Sequence, residues 1–451
     1  GILGAGRSGM AAARLLLAHG KRVRLIDEGA DAERDDVRAL IDAGAEVRFG
    51  PIDEPAEVLA GCEALVVSPG FAYGHPLQQY ARISGLPVRS ELELGWLYRG
   101  GARVVAITGT NGKTTVTMLV EAILREAGLS AVASGNIGYA LSDAVREAGD
   151  QLDSTVFVVE VSSFQLETVE AFSPDVAVIL NVTADHLDRH ATMEAYAAAK
   201  QRLTEMQSPE QVLVVNQDDS WCLAIANRTR ARVRRFSVSR PVDDGAYLDG
   251  DLIYLTEPGR KPRRLMEMDE LQMIGLHNVA NAMAAAAACQ ALGVDRRPLA
   301  AALASFKAAP HRLQAAGEID GVLYVNDSKA TNLDAMMQAI DSFSGGLLLI
   351  AGGRDKNSPF GQVTERLARR VRQVLLIGEA AEPMREAWAE AVPCRMCGTL
   401  EGALEAARAE APVPVGVMVL VWWWLAGAGR ARRWAWLPAG LMPAALMLWR
   451  R

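Results

Sequence analysis

The chain has 451 residues, half of them hydrophobic and 22% charged, an ordinary globular composition that predicts about two to four domains. The net charge of −7, with no basic stripe in the first 412 residues, argues against a nucleic-acid-binding protein. The five cysteines are dispersed and odd in number, which argues against a disulfide framework and fits a reducing cytosol.

The first of three α/β blocks alternates apolar strands with helical patterns. Strands are predicted at Arg22–Ile26 and Ala64–Val67, and a helix at Met10–Ala18. The glycine-rich segment Gly4–Gly9 precedes that helix and is typical of a loop that holds a diphosphate. Asp27 comes at the end of the strand Arg22–Ile26, where a ribose-binding acid would lie. A UDP group would suit this loop as well as NAD.

The second block opens with a phosphate-binding pattern. The predicted strand Ala102–Ile107 runs into the loop Thr108–Thr115, with the sequence Thr-Gly-Thr-Asn-Gly-Lys-Thr-Thr, and a helix is predicted from about Lys113. Strand, glycine-rich turn and helix N-terminus are the parts of such a site. We predict that Lys113 reaches the β- and γ-phosphates of ATP and that Thr114 binds Mg²⁺. The first glycine of the common motif is replaced by Ile107, so the loop is shorter. The predicted ATP-binding residues of the loop are Gly109, Thr110, Asn111, Gly112, Lys113, Thr114 and Thr115.

Two later strands of this block, Thr155–Val161 and Val176–Asn181, bring polar residues to the edge where doubly wound sheets bind ligands. Glu160 lies near the end of the first, and a carboxylate in an apolar strand is costly unless it is paired or bound to metal. We predict that Glu160 is a Mg²⁺ ligand, with a structural salt bridge as the alternative. His186 follows the second strand and is predicted to bind a second Mg²⁺ or the substrate, unless it is structural.

The remainder of the second block has a strand at Gln211–Val215, a polar, turn-rich stretch around Pro241–Pro262 and an alanine-rich helix at Ala280–Leu292. Asn278 and Asn281 stand three residues apart on one helical face. Their amides suit the edge of an adenine ring, which both donates and accepts hydrogen bonds. The alternative is that Asn278 caps the helix.

The third block begins near Pro310 and again places charge and glycine after predicted strands. These strands are Val322–Val325, Leu347–Ala351 and Val374–Ile377. Residues 326–332 and 352–356 follow the first two, and Arg312 precedes them. We predict that they reach the nucleotide and an anionic substrate, with solvated surface charge as the alternative. Helices alternating with strands throughout predict an α/β fold of parallel, doubly wound sheets.

The last 39 residues, from Val413, depart from this pattern. They hold five arginines, no acidic residue and six of the nine tryptophans. Two apolar runs, Val413–Gly429 and Trp434–Trp449, each fall short of the roughly 20 residues that span a bilayer. The composition predicts membrane-type sequence. The alternative is a core strand at Val415–Val421 followed by a loosely packed tail.

Over residues 1–412 these motifs together resemble the Mur ligase family. The segments that carry the resemblance are the phosphate loop, Glu160 with Ser162–Glu167, Asp185-His186, His277–Asn281 and residues 327–332. The resemblance implies three domains: a Rossmann-like UDP-substrate-binding domain (1–100), a central P-loop-type ATPase domain (101–309) and a truncated Rossmann-like amino-acid-binding domain (310–412). The tail, 413–451, is foreign to the family and resembles a membrane segment of the division protein FtsW.

The resemblance also implies a reaction. ATP phosphorylates the carboxylate of UDP-N-acetylmuramoyl-L-alanine, and the amino group of D-glutamate attacks the acyl phosphate, in cytoplasmic peptidoglycan synthesis. ATP and Mg²⁺ are the implied cofactors, the chain is expected to be a monomer, and only the tail would meet a membrane. The alternatives are a Mur ligase for another amino acid and an inactive, truncated fusion of two neighbouring genes.

Residue roles follow from the same resemblance. Lys113, His186 and Lys200 are expected to be catalytic, with Lys200 carbamylated and helping to place Mg²⁺. The expected metal ligands are Thr114, Glu160 and His186. Outside the loop, the expected ATP-binding residues are Asn278, Asn281, Arg312, Asp327 and Lys329. The expected substrate-binding residues are Gly6, Arg7, Ser8, Gly9, Ser68, Asn136, Ser162, His186 and Lys356, the last for the D-glutamate carboxylate.

Overall fold

A computed structural model describes residues 1–29, 31–307, 313–319, 322–328, 330, 332–343, 345–353, 359–410 and 417–419. They form three mostly parallel sheets with helices between the strands, which confirms the predicted α/β class. The chain divides into two compact units. The first, Gly1–Glu270 with Ala280–Ser305, holds two sheets, and the second, Leu271–Val279 with Phe306–Arg451, holds the third.

The N-terminal sheet has five parallel strands in the order β3-β2-β1-β4-β5. The strands are β1 (Ile2–Leu3), β2 (Arg24–Asp27), β3 (Glu46–Phe49), β4 (Leu65–Val67) and β5 (Val88–Ser90). The helices are α1 (Arg7–Ala18), α2 (Asp35–Asp42), α3 (Pro55–Val58), α4 (Pro76–Ile83) and α5 (Glu91–Tyr98). The glycine-rich segment therefore lies between β1 and the start of α1, as a diphosphate loop requires.

The central sheet has nine strands in the order β14-β13-β12-β11-β10-β9-β6-β8-β7. They are β6 (Arg103–Thr108), β7 (Ser130–Gly135), β8 (Thr155–Glu160), β9 (Val176–Ile179), β10 (Val212–Asn216), β11 (Arg232–Ser237), β12 (Gly245–Asp249), β13 (Leu252–Thr256) and β14 (Arg263–Glu267). The helices are α6 (Lys113–Glu126), α7 (Leu141–Ala148), α8 (Ser163–Leu166), α9 (Leu187–His190), α10 (Met193–Glu205), α11 (Ser220–Ala226), α12 (Leu276–Ala291) and α13 (Arg296–Ser305). Because β6 lies in parallel register between β8 and β9, the carboxyl ends of these three strands meet at one edge.

The stretch around Pro241–Pro262, predicted to be polar and turn-rich, contains an antiparallel hairpin of β12 and β13, and β14 extends it. The interpretation as turns was therefore incomplete. The two five-residue strands are separated by Gly250-Asp251, a two-residue connection of the kind that joins hairpin strands. Because β12 and β13 are short and have polar flanking residues, their alternating aromatic and aliphatic residues do not stand out in the sequence.

One hydrophobic core runs through both sheets of the first unit. Leu92 and Trp96 of α5 belong to it together with Leu141 of α7, and the Trp96 ring lies 5.3 Å from the ring of Phe172. A Cβ on Gly95 would lie 2.6 Å from Cγ of Leu141, so α5 and α7 pack closely. This packing places the N-terminal sheet firmly against the central one.

The second compact unit contains a sheet of order β15-β16-β20-β17-β18-β19. Its strands are β15 (Gln314–Ile319), β16 (Val322–Asn326), β17 (Leu347–Gly352), β18 (Val371–Ile377), β19 (Cys394–Gly398) and β20 (Val417–Val419). Its helices are α14 (Leu333–Asp341), α15 (Thr364–Arg370), α16 (Ala381–Trp388) and α17 (Leu400–Glu410). All pairs are parallel except β15 with β16.

The last described strand, β20, bears on the predicted tail. It pairs with both β16 and β17 and lies within 415–421, the stretch that the core-strand alternative proposed. Residues 420–451 lie outside the described residues, so the membrane-type interpretation of that part stays a prediction. Among the helices that the structure describes, none has both the length and the apolar character needed to cross a membrane.

Candidate active site

The predicted phosphate loop is a strand–turn–helix junction. β6 ends at Thr108 and α6 begins at Lys113. Gly112, immediately before the helix, has φ +85°, a left-handed conformation that favours glycine. A Cβ there would lie only 2.4 Å from Oδ1 of Asn281. Asn281 thus approaches the loop backbone directly, and only glycine leaves room for it.

Residues that follow β9 hold the phosphate loop through paired hydrogen bonds. The backbone N–H of Asn111 donates to Oδ1 of Asn181 over 2.8 Å, and Nδ2 of Asn181 donates back to the Asn111 carbonyl. The Thr110 hydroxyl donates to the Thr183 carbonyl and accepts from the Thr183 N–H. These paired bonds fix the loop against the end of β9.

Two lysines converge on one carbonyl of the loop. Lys113 Nζ donates to the Gly109 and Thr110 carbonyls over 2.8 and 2.7 Å. Lys200, from α10, is 1% exposed, and its Nζ donates to the same Gly109 carbonyl over 2.9 Å. Burial holds the pKa of Lys200 well below its usual value, and the positive charge of Lys113 lowers it further. A fraction of neutral amine is therefore available at Lys200 at a lower pH than for an exposed lysine.

Glu160 joins the phosphate loop to the Asn136 loop. Its carboxylate is buried, its Oε2 accepts from the Thr114 hydroxyl over 2.8 Å and its Oε1 accepts from Nδ2 of Asn136 over 2.9 Å. The predicted salt-bridge alternative is not what the described residues show at Glu160, since both hydrogen-bond partners of its carboxylate are uncharged. Carboxylate and hydroxyl oxygens are the hard ligands that Mg²⁺ prefers, so this donor set fits the predicted metal.

The N-terminal glycine-rich loop meets the central domain through Arg7. Its guanidinium donates to the carbonyls of Asn136 and Gly138 over 3.0 and 3.1 Å. Within the loop, Asp27 accepts the backbone N–H of Ala5 through Oδ2, so this carboxylate braces the loop. A Cβ on Gly4 would lie 2.6 Å from Oγ of Ser68, which places the Ser68 side chain against the predicted diphosphate loop.

The turn that carries His186 has an unusual backbone. His186 has φ +54°, in the left-handed region that residues with a Cβ adopt at a cost. Its ring packs edge-on against Phe164 at 4.9 Å between centroids, and its Nε2 lies 3.7 Å from Oδ2 of Asp185. The neighbouring His190 Nε2 lies 3.0 Å from the Ser163 hydroxyl, and burial lowers the pKa of His190.

A cavity of about 390 Å³ gathers many of these residues within the first compact unit. Its lining residues are Pro69, Gly70, Lys113, Asn136, Ser162, Ser163, Phe164, His186, Arg189, Tyr196 and Lys200. These residues come from the N-terminal domain, the phosphate loop, the turn that carries His186 and neighbouring segments of the central domain. A reacting group bound there would face two lysines and the amide that contacts Glu160.

Other predicted residues have mainly structural contacts. Ser162 lines the cavity and also caps α8, where it forms a capping box with Gln165. Thr115 is buried in the first turn of α6. Asn278 lies inside α12 rather than at its cap, and its amide donates to the Ile274 carbonyl. In the second unit, Asp327 accepts the Leu313 N–H through Oδ1.

Three predicted residues, Arg312, Lys329 and Lys356, lie outside the described residues. Among the residues that are described, no group of three or more His, Cys, Asp or Glu side chains is placed to hold a metal ion. The predicted set contains only two such residues, Glu160 and His186, and completes itself with the Thr114 hydroxyl.

Six residues that line the cavity were not predicted as site residues, and they are Pro69, Gly70, Ser163, Phe164, Arg189 and Tyr196. Tyr196 lies one helical turn before Lys200, its ring under the ammonium at 4.3 Å, and its hydroxyl is 3.3 Å from that of Thr110. Arg189 follows His186 by three residues, and Phe164 follows Ser162-Ser163. Their proximity along the chain to predicted residues was the available signal, and helical spacing made Tyr196 the clearest case.

Comparison with known protein families covers most of the chain. The MurD-like N-terminal domain of Mur ligases matches residues 1–90, the Mur ligase middle domain residues 107–289, and the Mur ligase glutamate ligase domain residues 311–421. The last match extends beyond the predicted end of the resemblance near residue 412 and includes β20.

Individual relatives agree with this. The chain is 40% identical over 411 residues to UDP-N-acetylmuramoylalanine--D-glutamate ligase of Koribacter versatilis, covering 91% of this chain and 89% of that protein. It is 40% identical over 390 residues to the protein of the same name from Pelotomaculum thermopropionicum, covering 86% and 84%. Among solved structures, MurF from Acinetobacter baumannii has a TM-score of 0.60 at 17% identity, covering 93% and 89%. A pseudomurein peptide ligase type C from Methanothermus fervidus has 0.59 at 18%, covering 93% and 96%. At these identities the two structures establish the fold.

Proposed function

This chain belongs to the Mur ligase family, and from that premise we propose that it joins D-glutamate to UDP-N-acetylmuramoyl-L-alanine at the expense of ATP. The observation that carries the proposal is the convergence of Lys113, Lys200 and the Thr114–Glu160 pair at the wall of one cavity. The N-terminal domain forms the other wall through Pro69 and Gly70. The carbonyls of the phosphate loop, the carboxylate of Glu160 and the ammonium group of Lys113 are thus arranged for phosphoryl transfer to a substrate that the N-terminal domain holds.

We assign the triphosphate of ATP to the loop Gly109–Thr115, where Gly112 leaves the backbone open and α6 presents its N-terminus. Lys113 would release its own loop carbonyls and neutralise charge on the transferring phosphoryl group. Asn281, in contact range of Gly112, would lie near the nucleotide. Asn278, Arg312, Asp327 and Lys329 remain predicted nucleotide contacts on the resemblance alone.

Thr114, Glu160 and His186 would hold Mg²⁺, which supplies charge neutralisation between the phosphates. Glu160 is suited because burial and two hydrogen bonds fix both of its oxygens. His186 lines the cavity but has a ring contact with Phe164, and its part in the metal site rests on the resemblance.

Lys200 is proposed to be carbamylated. Its neutral amine would attack CO₂, form an N–C bond and lose one proton, leaving a carbamate anion. The structure supports this through burial and a lowered pKa, since only the neutral amine is nucleophilic. A carbamate would also place a negative charge close to the ammonium group of Lys113, which shares the Gly109 carbonyl with Lys200.

The proposed reaction has two steps. In the first, a carboxylate oxygen of UDP-N-acetylmuramoyl-L-alanine bonds to the γ-phosphorus, the bond to the β-phosphate oxygen breaks and ADP leaves. In the second, the amine of D-glutamate attacks the acyl carbon, loses a proton, and phosphate departs as the amide forms. The cavity would position the two reactants and exclude water, which is the main contribution available to the protein. Gly6, Arg7, Ser8, Gly9, Ser68, Asn136, Ser162 and His186 are the proposed contacts of the UDP-linked substrate, and Lys356 that of D-glutamate.

Phosphate release in the presence of UDP-N-acetylmuramoyl-L-alanine, ATP, Mg²⁺ and one candidate amino acid at a time tests the assignment. We expect release with D-glutamate and not with L-glutamate, L-alanine, L-lysine or diaminopimelate. Release with a different amino acid would make the chain another Mur ligase. A folded chain that binds ATP but never releases phosphate would support the inactive-fusion alternative. The cytoplasmic location and monomeric state stay predictions.

A further inference from the structure

We propose that Arg189 is a positioning residue that joins loop 69–71 of the N-terminal domain to the turn that carries His186. The joined surfaces are two walls of the cavity described above. The consequence for turnover rests on the proposed ligase function, whereas the joining itself does not. No role for Arg189 follows from the motifs in the sequence.

The guanidinium of Arg189 is almost fully engaged. Its Nε and Nη2 donate to the two carboxylate oxygens of Glu167 over 3.0 and 2.7 Å. Its Nη1 donates to the Pro69 carbonyl over 3.4 Å, and Nη2 donates to the Phe71 carbonyl over 3.3 Å. Arginine has five N–H groups, so these bonds use nearly all of its donors. It is therefore a poor candidate for direct substrate binding and a good one for holding two segments together.

Phe164 connects the same side chain to the His186 turn. The Arg189 guanidinium lies 4.3 Å from the centre of the Phe164 ring, and the same ring also contacts the rings of His186 and His190. The left-handed conformation of His186 is costly for a residue with a Cβ and persists where surrounding contacts impose it. Such contacts come from Arg189, which lies in the same turn, and from Phe164, whose ring packs against His186.

The N-terminal partner of Arg189 is itself part of the cavity. Pro69 and Gly70 line it together with Lys113 and Lys200. A shift of loop 69–71 relative to the phosphate loop would change the distance between a substrate on the N-terminal domain and the γ-phosphate. Small misplacements of this kind carry large rate penalties. The bidentate pair with Glu167 gives Arg189 a fixed direction, which a lysine at this position would lack.

Hydrogen–deuterium exchange of the ligand-free full chain tests the joining without any substrate. In Arg189→Met we expect faster exchange in two separate segments, 68–72 and 183–190, while the β8 segment is unchanged. Glu167→Gln, which keeps the side-chain shape, should give the same pattern to a smaller extent and covers the case in which Arg189→Met fails to fold. Arg228→Met, at an exposed arginine of the same domain, is the control. Faster exchange at 183–190 alone, or at neither segment, would overturn the proposal.

Kinetics then separate positioning from general destabilisation. We expect Arg189→Met to lower kcat/KM for UDP-N-acetylmuramoyl-L-alanine by roughly tenfold or more and to leave the KM for ATP within about twofold. Arg189→Lys should recover only part of the loss. A rise in the KM for ATP of the same size would indicate a merely structural role and contradict the proposal. If the unaltered chain shows no turnover, the ligase assignment fails while the exchange result still decides the role of Arg189.

Discussion

The hydroxyl of Thr114 donates a 2.8 Å hydrogen bond to Oε2 of Glu160, while Oε1 of the same carboxylate accepts from the amide of Asn136. Glu160 is buried at the end of β8, and β8 is paired with the strand that leads into the phosphate loop. The carboxylate therefore links three elements that different parts of the substrates would contact. Its replacement is the first test of the proposed metal site.

Glu160→Gln should lower kcat by on the order of 10²–10³ and raise the Mg²⁺ concentration needed for half-maximal rate. Glutamine carries no negative charge, and its NH₂ group would face a hydrogen-bond donor, either the Thr114 hydroxyl or the Asn136 amide. Initial rates of phosphate release over a Mg²⁺ titration measure both effects. Glu126→Gln, at an exposed position at the end of α6, is the control. An unchanged Mg²⁺ dependence would remove Glu160 from the metal site.

Lys113→Ala should abolish turnover and leave the affinity for UDP-N-acetylmuramoyl-L-alanine largely intact. Lys113 projects from the phosphate loop, whereas the proposed UDP site lies on the N-terminal sheet. Turnover assays combined with calorimetric binding of the UDP-linked substrate separate the two properties. Lys261→Ala, at an exposed position between β13 and β14, should behave as the unaltered chain. Substantial residual turnover in Lys113→Ala would refute the role given to this lysine.

Lys200 should take up CO₂. Burial lowers the pKa of Lys200, so its neutral amine is populated at a lower pH than the neutral amine of an exposed lysine. Carbamate formation should therefore increase with pH and reach its plateau at a lower pH than it would for an exposed lysine. Carbon-13 NMR with labelled bicarbonate should show a carbamate signal that Lys200→Arg lacks, together with loss of turnover. Full activity in CO₂-depleted buffer would count against a carbamate.

Gly112→Ala should impair the protein more than Gly128→Ala. Both positions have positive φ, +85° and +78°, so each alanine is strained by about 1–2 kcal/mol. Only at Gly112 would the new Cβ collide, at 2.4 Å from Oδ1 of Asn281, whereas Gly128 has open space. Backbone strain should lower the melting temperature of both variants, and the collision should lower that of Gly112→Ala further and weaken ATP binding in that variant alone. Equal ATP affinity in both variants would contradict the close approach of Asn281 to the nucleotide loop.

Glu91 should make stability depend on pH. Burial raises the pKa of Glu91 to about 7, against the opposing effect of the 2.6 Å hydrogen bond from the Ser142 N–H. A raised carboxyl pKa means that the folded state holds the proton more tightly, so this contribution to stability is complete below the ordinary value of 4.5 and is lost as pH rises through about 7. The loss is at most about 3 kcal/mol.

Glu91→Gln keeps the acceptor for Ser142 and removes the charge. Its free energy of unfolding should fall less than that of the unaltered chain between about pH 5 and pH 8. Urea denaturation at several pH values measures this, with Glu126→Gln as the matched exposed control. Parallel pH profiles for Glu91→Gln and the unaltered chain would show that Glu91 does not titrate as proposed.

The sequence was sufficient for the class of fold and for the family, because periodic apolar runs and local motifs carry that information. The strand into Lys113 and the polar ends of β8 and β9 could be recognised along the chain. The hairpin of β12 and β13 could not, since two five-residue strands between turns have little periodicity. Nor could the place of β20 within its sheet, which depends on pairing with strands distant in sequence.

Within the site, residues that recur in motifs were predicted and residues that act through tertiary contacts were missed. Arg189 belongs to no recognisable motif, and the Pro69 and Phe71 carbonyls to which it donates lie about 120 residues away along the chain. Arg7 was predicted for the substrate, and the structure adds its bonds to the Asn136 loop. The burial of Lys200 is likewise invisible in an alanine-rich helix, where this lysine looks like any other.

The central claim is that ATP phosphorylates the carboxylate of the UDP-linked substrate. UDP-N-acetylmuramoyl-L-alanine labelled with heavy oxygen in that carboxylate, incubated with the full chain, ATP, Mg²⁺ and D-glutamate, tests it most directly by mass spectrometry of the released phosphate. We predict that one heavy oxygen passes into phosphate for each amide formed, because the carboxylate oxygen that attacked the γ-phosphorus leaves with it. Amide formation with unlabelled phosphate, or phosphate release without amide, would contradict the account.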